Sequence, residues 1–452
     1  MRQLLFLISA LAAISCSRGE IYCVTDFGAV PDTTILSTKA IQDAIDCCSA
    51  SGGGRVVVPK GEFKTGTILL RDGVVLEVAE GAVLYGSPCL CDYPYIPYDI
   101  VARCTQKPNY QLILAQNASN IGICGKGTID GQGGKFPKIK GSQGGHIRPL
   151  LIRIVKCRNV SVQEIHLRNA ARWMQHYLCC DTLSISGIDV FNRSNYNNDG
   201  MDIDGCRHVR VSGVRVDSDD DGIVLKSTSA RACEDVLITD CTISSHCNGI
   251  KFGTETNTGF RNVRIEHCEI LPSTDNSPLW WGREGGLGGL TLTIADGGTM
   301  EDILIHDISI TGTQAPIFVR LCNRATPYSA DIPVKGVGRI RGVTISGVRA
   351  VGAGLIGSSI TGIPGHPVED ITLKDISIET LGGADPSAVY AEPGEYETSY
   401  PECTKLGTLP CYGLFLRHID GLTMENVAFR AISPDPRPET MSIDVRNRSR
   451  DL

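Results

Sequence analysis

A polar residue followed by apolar-x-apolar recurs along this chain at an interval too long for a heptad and too regular for unrelated loops. It reads Asn120-Ile121-Gly122-Ile123, Asn159-Val160-Ser161-Val162, Thr182-Leu183-Ser184-Ile185, His208-Val209-Arg210-Val211, Asp235-Val236-Leu237-Ile238 and Asn262-Val263-Arg264-Ile265. It continues as Asp302-Ile303-Leu304-Ile305, Gly342-Val343-Thr344-Ile345, Asp370-Ile371-Thr372-Leu373 and Gly421-Leu422-Thr423-Met424. Leu183, Val209, Val236 and Val263 follow Val160 at steps of 23 to 27 residues, and the step from Val343 to Ile371 is 28. Longer steps mark insertions in four coils. A second short apolar alternation follows inside each unit, as in Ile188-Asp189-Val190, Val214-Arg215-Val216, Ile308-Ser309-Ile310 and at Ile376. Two or three short strands per unit, alternating in and out, specify an all-β chain wound as a right-handed parallel β-helix. A propeller would need longer and more regular blades.

The beginning fits a capped solenoid. Val24 to Val30 reads as a short strand, and Ser37 caps a predicted helix whose Ala40, Ile41, Ala44, Ile45 and Cys48 share one face. Gly52-Gly53-Gly54 ends that helix, and short strands separated by glycine turns fill 55–86. One domain over 22–435 is expected, with 436–452 as a tail. Insertions at 88–109, 131–148, 271–287, 322–334 and 381–409 are where binding groups are expected, because loops on a rigid scaffold carry sites. Trp280, Trp281 and Tyr93, Tyr95, Tyr396, Tyr400 and Tyr412 lie in or beside them, as sugar-stacking rings or as loop packing.

Met1-Arg2-Gln3 and the apolar run Leu4 to Ile14 have the order of an export signal and are too short to span a bilayer. Ala13-Ile14-Ser15-Cys16 resembles a bacterial lipobox that would make Cys16 a lipid-bearing N-terminus; an ordinary secretory signal is the alternative. The expected location is therefore the periplasm or outer membrane, or the medium. The net charge of -7 and the lack of a Lys/Arg-rich run argue against nucleic acid, and an anionic substrate would need local cations. Of the 19 cysteines, Cys157, Cys206 and Cys233 each precede a repeat position by three residues and are expected to stack as a core ladder. Cys89 with Cys91, and Cys403 with Cys411, are disulfide candidates in loops.

Acidic clusters recur at the coil interval in 197–255. They are Asn197-Asn198-Asp199-Gly200-Met201-Asp202-Ile203-Asp204, Asp217-Ser218-Asp219-Asp220-Asp221-Gly222 and Asn248-Gly249-Ile250-Lys251-Phe252-Gly253-Thr254-Glu255. Equivalent positions on successive coils lie about 4.8 Å apart, so Asp199 and the Asp220–Asp221 pair should converge. Carboxylates at that range suit glycosidic hydrolysis, in which one acid protonates the leaving oxygen and others activate water. Mutual repulsion keeps one of them protonated. Asp202 and Asp204 read as turn or edge acids. With Asp217, Asp219 and Glu255 they also offer enough oxygens for a calcium site.

The chain resembles glycoside hydrolase family 28, the polygalacturonase group, along most of its length. Asp26-Phe27-Gly28-Ala29, Gly52 to Gly61 and Gly125-Lys126-Gly127-Thr128-Ile129-Asp130-Gly131-Gln132-Gly133 look like its N-terminal signatures. Its Asn-Thr-Asp-Gly motif matches Asn197-Asn198-Asp199-Gly200 with one change, and its Asp-Asp motif matches Asp220-Asp221-Gly222-Ile223-Val224-Leu225-Lys226-Ser227. By that resemblance Asp220 is the general acid, and Asp199 with Asp221 activate the water; no cofactor is implied, and a monomer acting on pectic polysaccharide is expected. Two motifs depart. Asn248 stands where the family has histidine, and Leu290-Thr291-Leu292-Thr293 stands where it has an Arg-x-Lys clamp for the galacturonate carboxylate.

The departures lean the expectation towards rhamnogalacturonan or an exo-acting mode. Substrate contacts are expected from Asn198, Asp202, Asn248 and Glu255. Lys226, Lys251, Arg283, Arg320 and Arg324 are candidate replacements for the clamp, each Lys being equally able to neutralise the aspartates. His246 could stand in for the missing imidazole or be a surface residue. A calcium-dependent pectate-lyase-like elimination and a non-catalytic glycan-binding β-helix are the alternative readings.

Overall fold

The computed structural model describes residues 20–105, 109–139, 147–273 and 285–450. The export signal, Cys16, Arg283, Trp280 and Trp281 lie outside these residues.

Each repeated polar residue sits in the left-handed backbone region. Asn120, Asn159, Thr182, His208, Asp235, Asn262, Asp302 and Asp370 have φ between 51 and 59°, and Gly342 and Gly421 have φ of 62 and 86°. A second set of such corners, including Glu164, Gly187, Gly213, Asp240, His267, Asp307, Gly347 and Asp375, precedes the next strand of each coil. Asn, Asp and Gly adopt this conformation at least cost, which is why they mark the repeat. A single left-handed residue between two extended stretches turns the chain through a corner, and repeating it closes a coil.

The described strands pair in parallel, coil upon coil. All ten repeat positions are in register: Ile121 on Val160, Val160 on Leu183, Leu183 on Val209, Val209 on Val236, and Val236 on Val263. The series continues Val263 on Ile303, Ile303 on Val343, Val343 on Ile371 and Ile371 on Leu422. Steps of very different length thus pair equally well, because insertions leave the stack as loops. All ten side chains are buried, each contributing about 1.5–3 kcal/mol of apolar burial. Cys157, Cys206 and Cys233 stack as expected and Cys180 joins them; the thiols of Cys157, Cys180, Cys206 and Cys233 donate to the carbonyls of Val155, Ile154, Tyr177 and Ile203 at 3.2 to 3.5 Å.

The helix Thr38–Ala50 closes the N-terminal end through Ile41, Ala44, Ile45 and Cys48; Ala40 is only half-buried. Ser37 precedes it but its hydroxyl contacts Val30 instead of capping the helix. The first strand is Glu20–Cys23, and Val24–Phe27, read as strand, is a turn of 3-10 helix ended by the left-handed Gly28. At the other end the expected tail carries a strand, Thr440–Arg450, paired with Leu414–Ala431. It forms an exposed last rung that buries few apolar groups, so its sequence lacks the repeat. Cys89 and Cys91 form a disulfide, whereas Cys403 and Cys411 are free, both packed in an apolar cluster with Phe318 and Leu409.

Thr182 is the β-branched exception among the corners, at φ 59°. Thr182→Asn should stabilise the protein by roughly 0.5–1 kcal/mol by relieving that corner, read as a higher urea midpoint at unchanged m-value. An unchanged or lower midpoint would contradict the corner account.

Candidate active site

One face of the stack runs through Gln175–Leu178, Met201–Asp204, Ile223–Ser227, Asn248–Thr256, Gly286–Ile294 and Thr313–Leu321. The turns entering these strands are superposed. Met174 N donates to Asp199 O at 3.0 Å, Gly200 N to Asp221 O at 2.9 Å and Gly222 N to Asn248 O at 2.8 Å, and Asn248 pairs with Gly288. Trp173, Asp199, Asp221, Asn248 and Gly288 therefore form one column, a coil apart. Glycine follows Asp199, Asp221 and Asn248 because a Cβ at Gly200 or Gly222 would meet the next coil's carbonyl at 2.7 or 2.5 Å. The outward ladder behind this column is His176, Asp202, Val224, Lys251, Thr291 and Phe318.

The carboxyl groups are nearly sealed, with Asp199 at 3%, Asp202 at 0%, Asp220 at 8% and Asp221 at 3% exposure. Burial, then the Asp221 charge, pushes Asp220 up to about 7. Burial would raise Asp221 too, but Lys251 Nζ at 2.8 Å from Oδ2 and the Asn248 amide at 2.7 Å from Oδ1 override it and hold Asp221 below the usual carboxylate range. Adjacent acids are thus poised as one proton donor and one ionised base. Burial, followed by Asp220, Asp202 and Asp221, raises Asp199 well above its ordinary value, and its Oδ1 has no hydrogen-bond partner among the described residues. Burial raises Asp202 to about 8 despite Lys226 Nζ at 3.6 Å, and neither carboxyl oxygen is hydrogen-bonded among the described residues.

Several expected contacts take other roles. Asn198 is fully buried and donates to the carbonyls of Ala170 and Arg172, so it holds the turn that presents Asp199. Asp204, read as an edge acid, is sealed and accepts from Thr228 and contacts His176 at 3.2 Å. His246 is not a surface residue; it is buried, with Nδ1 3.0 Å from Asp219 Oδ1 and the Arg193 guanidinium beside it. Lys226 contacts Glu255 at 3.2 Å and Lys251 contacts Asp221, so both ammoniums serve as counter-ions inside the site. Arg320 lies beyond Thr293 and bonds Thr361, Gly362 and Glu395, holding the 395–402 segment. Arg324 joins Asp296 and Glu255, with Tyr400 beneath it at 5.8 Å. Thr291 donates to Asn248 Oδ1 at 2.8 Å and Thr293 to Phe252 O at 2.7 Å; both are buried.

The sequence reading missed four contributors, Trp173, Arg172, Arg148 and Glu402. Trp173 and Arg172 are half-buried on the coil before Asp199, where no acidic cluster drew attention. Arg148, fully buried, bonds Ala171 O, Tyr196 O and Asn197 Oδ1, and Asn197 reaches Asp220 Oδ2 at 3.5 Å. Tyr400 and Glu402 arrive from the 381–409 insertion: Lys251 Nζ is 3.4 Å from the Tyr400 hydroxyl, and Asn248 donates to Glu402 at 3.4 Å. Glu402 is buried and raised, by burial first. Tyr400 reads in the sequence as a stacking or packing ring of that loop, whereas only the insertion itself signals Glu402.

Since the raised groups bind protons more tightly folded than unfolded, their effect on stability is a loss as pH rises from the ordinary 3.8 towards about 8. Asp202→Asn should therefore melt higher than the parent at pH values near 8, and the gap should close as pH falls to about 4, where both side chains are neutral. Thermal melts across that range would refute the assignment if the gap were independent of pH.

Residues 48–394 match the pattern described as Glycosyl hydrolases family 28. A Vitis vinifera protein named "Probable polygalacturonase" is 27% identical over 391 residues, covering 82% of this chain and 77% of its own. The fold is shared with a hyperthermoactive exopolygalacturonase from Thermotoga maritima, at TM-score 0.69 and 22% identity over 91% of this chain and 92% of the other. It is also shared with a Yersinia enterocolitica family 28 exopolygalacturonase, at TM-score 0.72 and 18% identity over 96% and 78%.

Proposed function

The chain belongs to glycosyl hydrolase family 28, and from that premise we propose that it hydrolyses glycosidic bonds in a galacturonosyl-containing pectic backbone with inversion at the anomeric carbon. Asp220 protonates the leaving oxygen. Asp221, ionised, takes the proton from a water that attacks the opposite face of the sugar, and Asp199 holds that water with its unpartnered Oδ1. The observation that carries this reading is the opposite tuning of two neighbouring aspartates, one raised to about 7 and one lowered, where Lys251 and Asn248 hydrogen-bond Asp221 directly. Divergent carboxyl environments are what acid–base division of labour requires.

Chain-end action, with rhamnogalacturonan or homogalacturonan as backbone, is supported by the 395–409 segment. Cys403, Leu406 and Leu409 pack with Cys247, Leu287 and Phe318, so this segment stands across the column just past Asn248. A polymer lying along the column meets it one coil beyond the catalytic pair. The Lys226 and Lys251 ammoniums favour hydrolysis over cation-dependent elimination, because they already occupy oxygens of Glu255 and Asp221 that a calcium ion would need. A polymeric pectic substrate also fits the expected export of the chain.

Asp220→Asn should lower kcat on the best pectic substrate by about a hundredfold or more while the protein melts no lower than the parent. Rate should fall as pH rises through about 7, where Asp220 loses its proton. Lys251→Met should move the acidic limb upward, because Asp221 then ionises at higher pH. Nuclear magnetic resonance of the first product should show the inverted anomer. Unsaturated products, or full turnover by Asp220→Asn, would overturn the reading.

A further inference from the structure

We infer that Glu402 is a positioning residue for Asp221 that acts through Asn248, keeping the amide nitrogen of Asn248 turned towards the base after the base has taken its proton. The inference rests on the reading above in which Asp221 deprotonates the attacking water. Asn248 is fully buried and Glu402 is 2% exposed. The Asn248 Nδ2 donates to Asp221 Oδ1 at 2.7 Å, and its second hydrogen faces Glu402 Oε2 at 3.4 Å beside the Cys247 sulfur at 3.3 Å. On the opposite side, Asn248 Oδ1 accepts from the Thr291 hydroxyl at 2.8 Å. The slot is tight, since a Cβ at Gly288 would come within 2.4 Å of Asn248 Oδ1.

An amide fits such a slot in two orientations that exchange its donor for its acceptor. Thr291 does not choose between them, because a hydroxyl both donates and accepts. The carboxyl groups choose. An ionised Asp221 holds the donor towards itself. Once Asp221 carries a proton, a flipped amide could accept that proton's hydrogen bond and keep it in the site, and an ionised Glu402 then opposes the flip, because Asn248 Oδ1 would be turned onto a carboxylate oxygen. Burial raises Glu402, Lys251 works against that, and the Asp221 charge adds to the raising. Protonating Asp221 removes that last influence, so Glu402 ionises more readily at the stage when the flip must be opposed. Tyr400 and Cys247 are the other titratable groups that feel Glu402 across the site. Glu402 is firmly seated. Its Oε1 accepts from Cys403 N at 3.2 Å, and Cys403 and Leu406 pack with Cys247 and Phe318. Upstream, Arg417 donates to Pro393 O at 2.6 Å and Gly394 O at 2.9 Å, and Arg320 donates to Glu395 O. Tyr400, two residues before Glu402, places its hydroxyl 3.4 Å from Lys251 Nζ, so one segment braces both side chains that donate to Asp221.

The test follows the Asp221 titration in two ways, as the acidic limb of kcat/KM on the best pectic substrate and by carboxyl-carbon magnetic resonance of aspartate-labelled protein, with the signal assigned through Asp221→Asn. Removing the Glu402 charge would by itself lower the Asp221 pKa, so an upward movement is the signature of a lost donor. Glu402→Met should move both readouts up by about one pH unit. Glu402→Gln, which keeps an acceptor, should move them less, and Thr291→Val should move neither. In an Asn248→Ala background, Glu402→Met should add no upward movement, because the path through the amide is already gone. A downward or absent shift with Glu402→Met, an equal shift with Thr291→Val, or an undiminished upward shift in the Asn248→Ala background would each overturn the inference. A wild-type protein that releases no product from any pectic substrate would sink the hydrolase reading, and the resonance titration would still decide the role of Glu402.

Discussion

The left-handed corner is the constraint on which this molecule depends. Each coil turns at residues with φ near 55°, supplied by Asn, Asp, His, Thr or Gly, and between the corners the chain is extended and pairs with the coil below. A corner is local and cheap for these residues, whereas the pairing it permits is long-range. Because the corners recur, the inward Ile, Val and Leu of each coil fall on those of the next without adjustment. Because a loop can leave at a corner, steps of 23 and of 51 residues produce the same register.

Register in turn makes the site. Residues far apart in sequence become neighbours by occupying the same rung position, so Trp173, Asp199, Asp221 and Asn248 line one column. Placing four carboxyl groups in that small volume is costly, and two lysines from later coils reduce the cost. They do so unequally. Lys251 and Asn248 hydrogen-bond Asp221, while Asp220 accepts from Asp221 N at 3.0 Å and from the Asn197 amide at 3.5 Å, and the two carboxyls shift in opposite directions.

Asn248 and the two threonines after Leu290 are tied together physically. Asn248 cannot carry a proton, but it links Asp221, Thr291 and Glu402 in one buried network, giving the base a fixed donor independent of pH. Thr291 and Thr293 bond inward to Asn248 and Phe252, and Lys226 and Lys251 bring positive charge among the aspartates. The 381–409 insertion fills the end of the column past Asn248.

The sequence by itself determined the solenoid, its register and the convergence of Asp199 with Asp220 and Asp221, because corners and apolar alternation are local signals with a period. It also placed Lys226, Lys251, Asn248 and Glu255 near one another through the same period. It could not show the last rung at Thr440–Arg450, which buries little, or that His246 and Asn198 turn inward. Tertiary structure alone decided what arrives from outside the repeat: Glu402 and Tyr400 lie some 150 residues after Asn248 and Lys251, and Arg148 acts on a turn 48 residues away. Loop packing follows no period, so no spacing could have announced these contacts. The protonation of each aspartate was likewise undecided until burial and donors were known, since identical side chains one residue apart are pushed in opposite directions by what surrounds them.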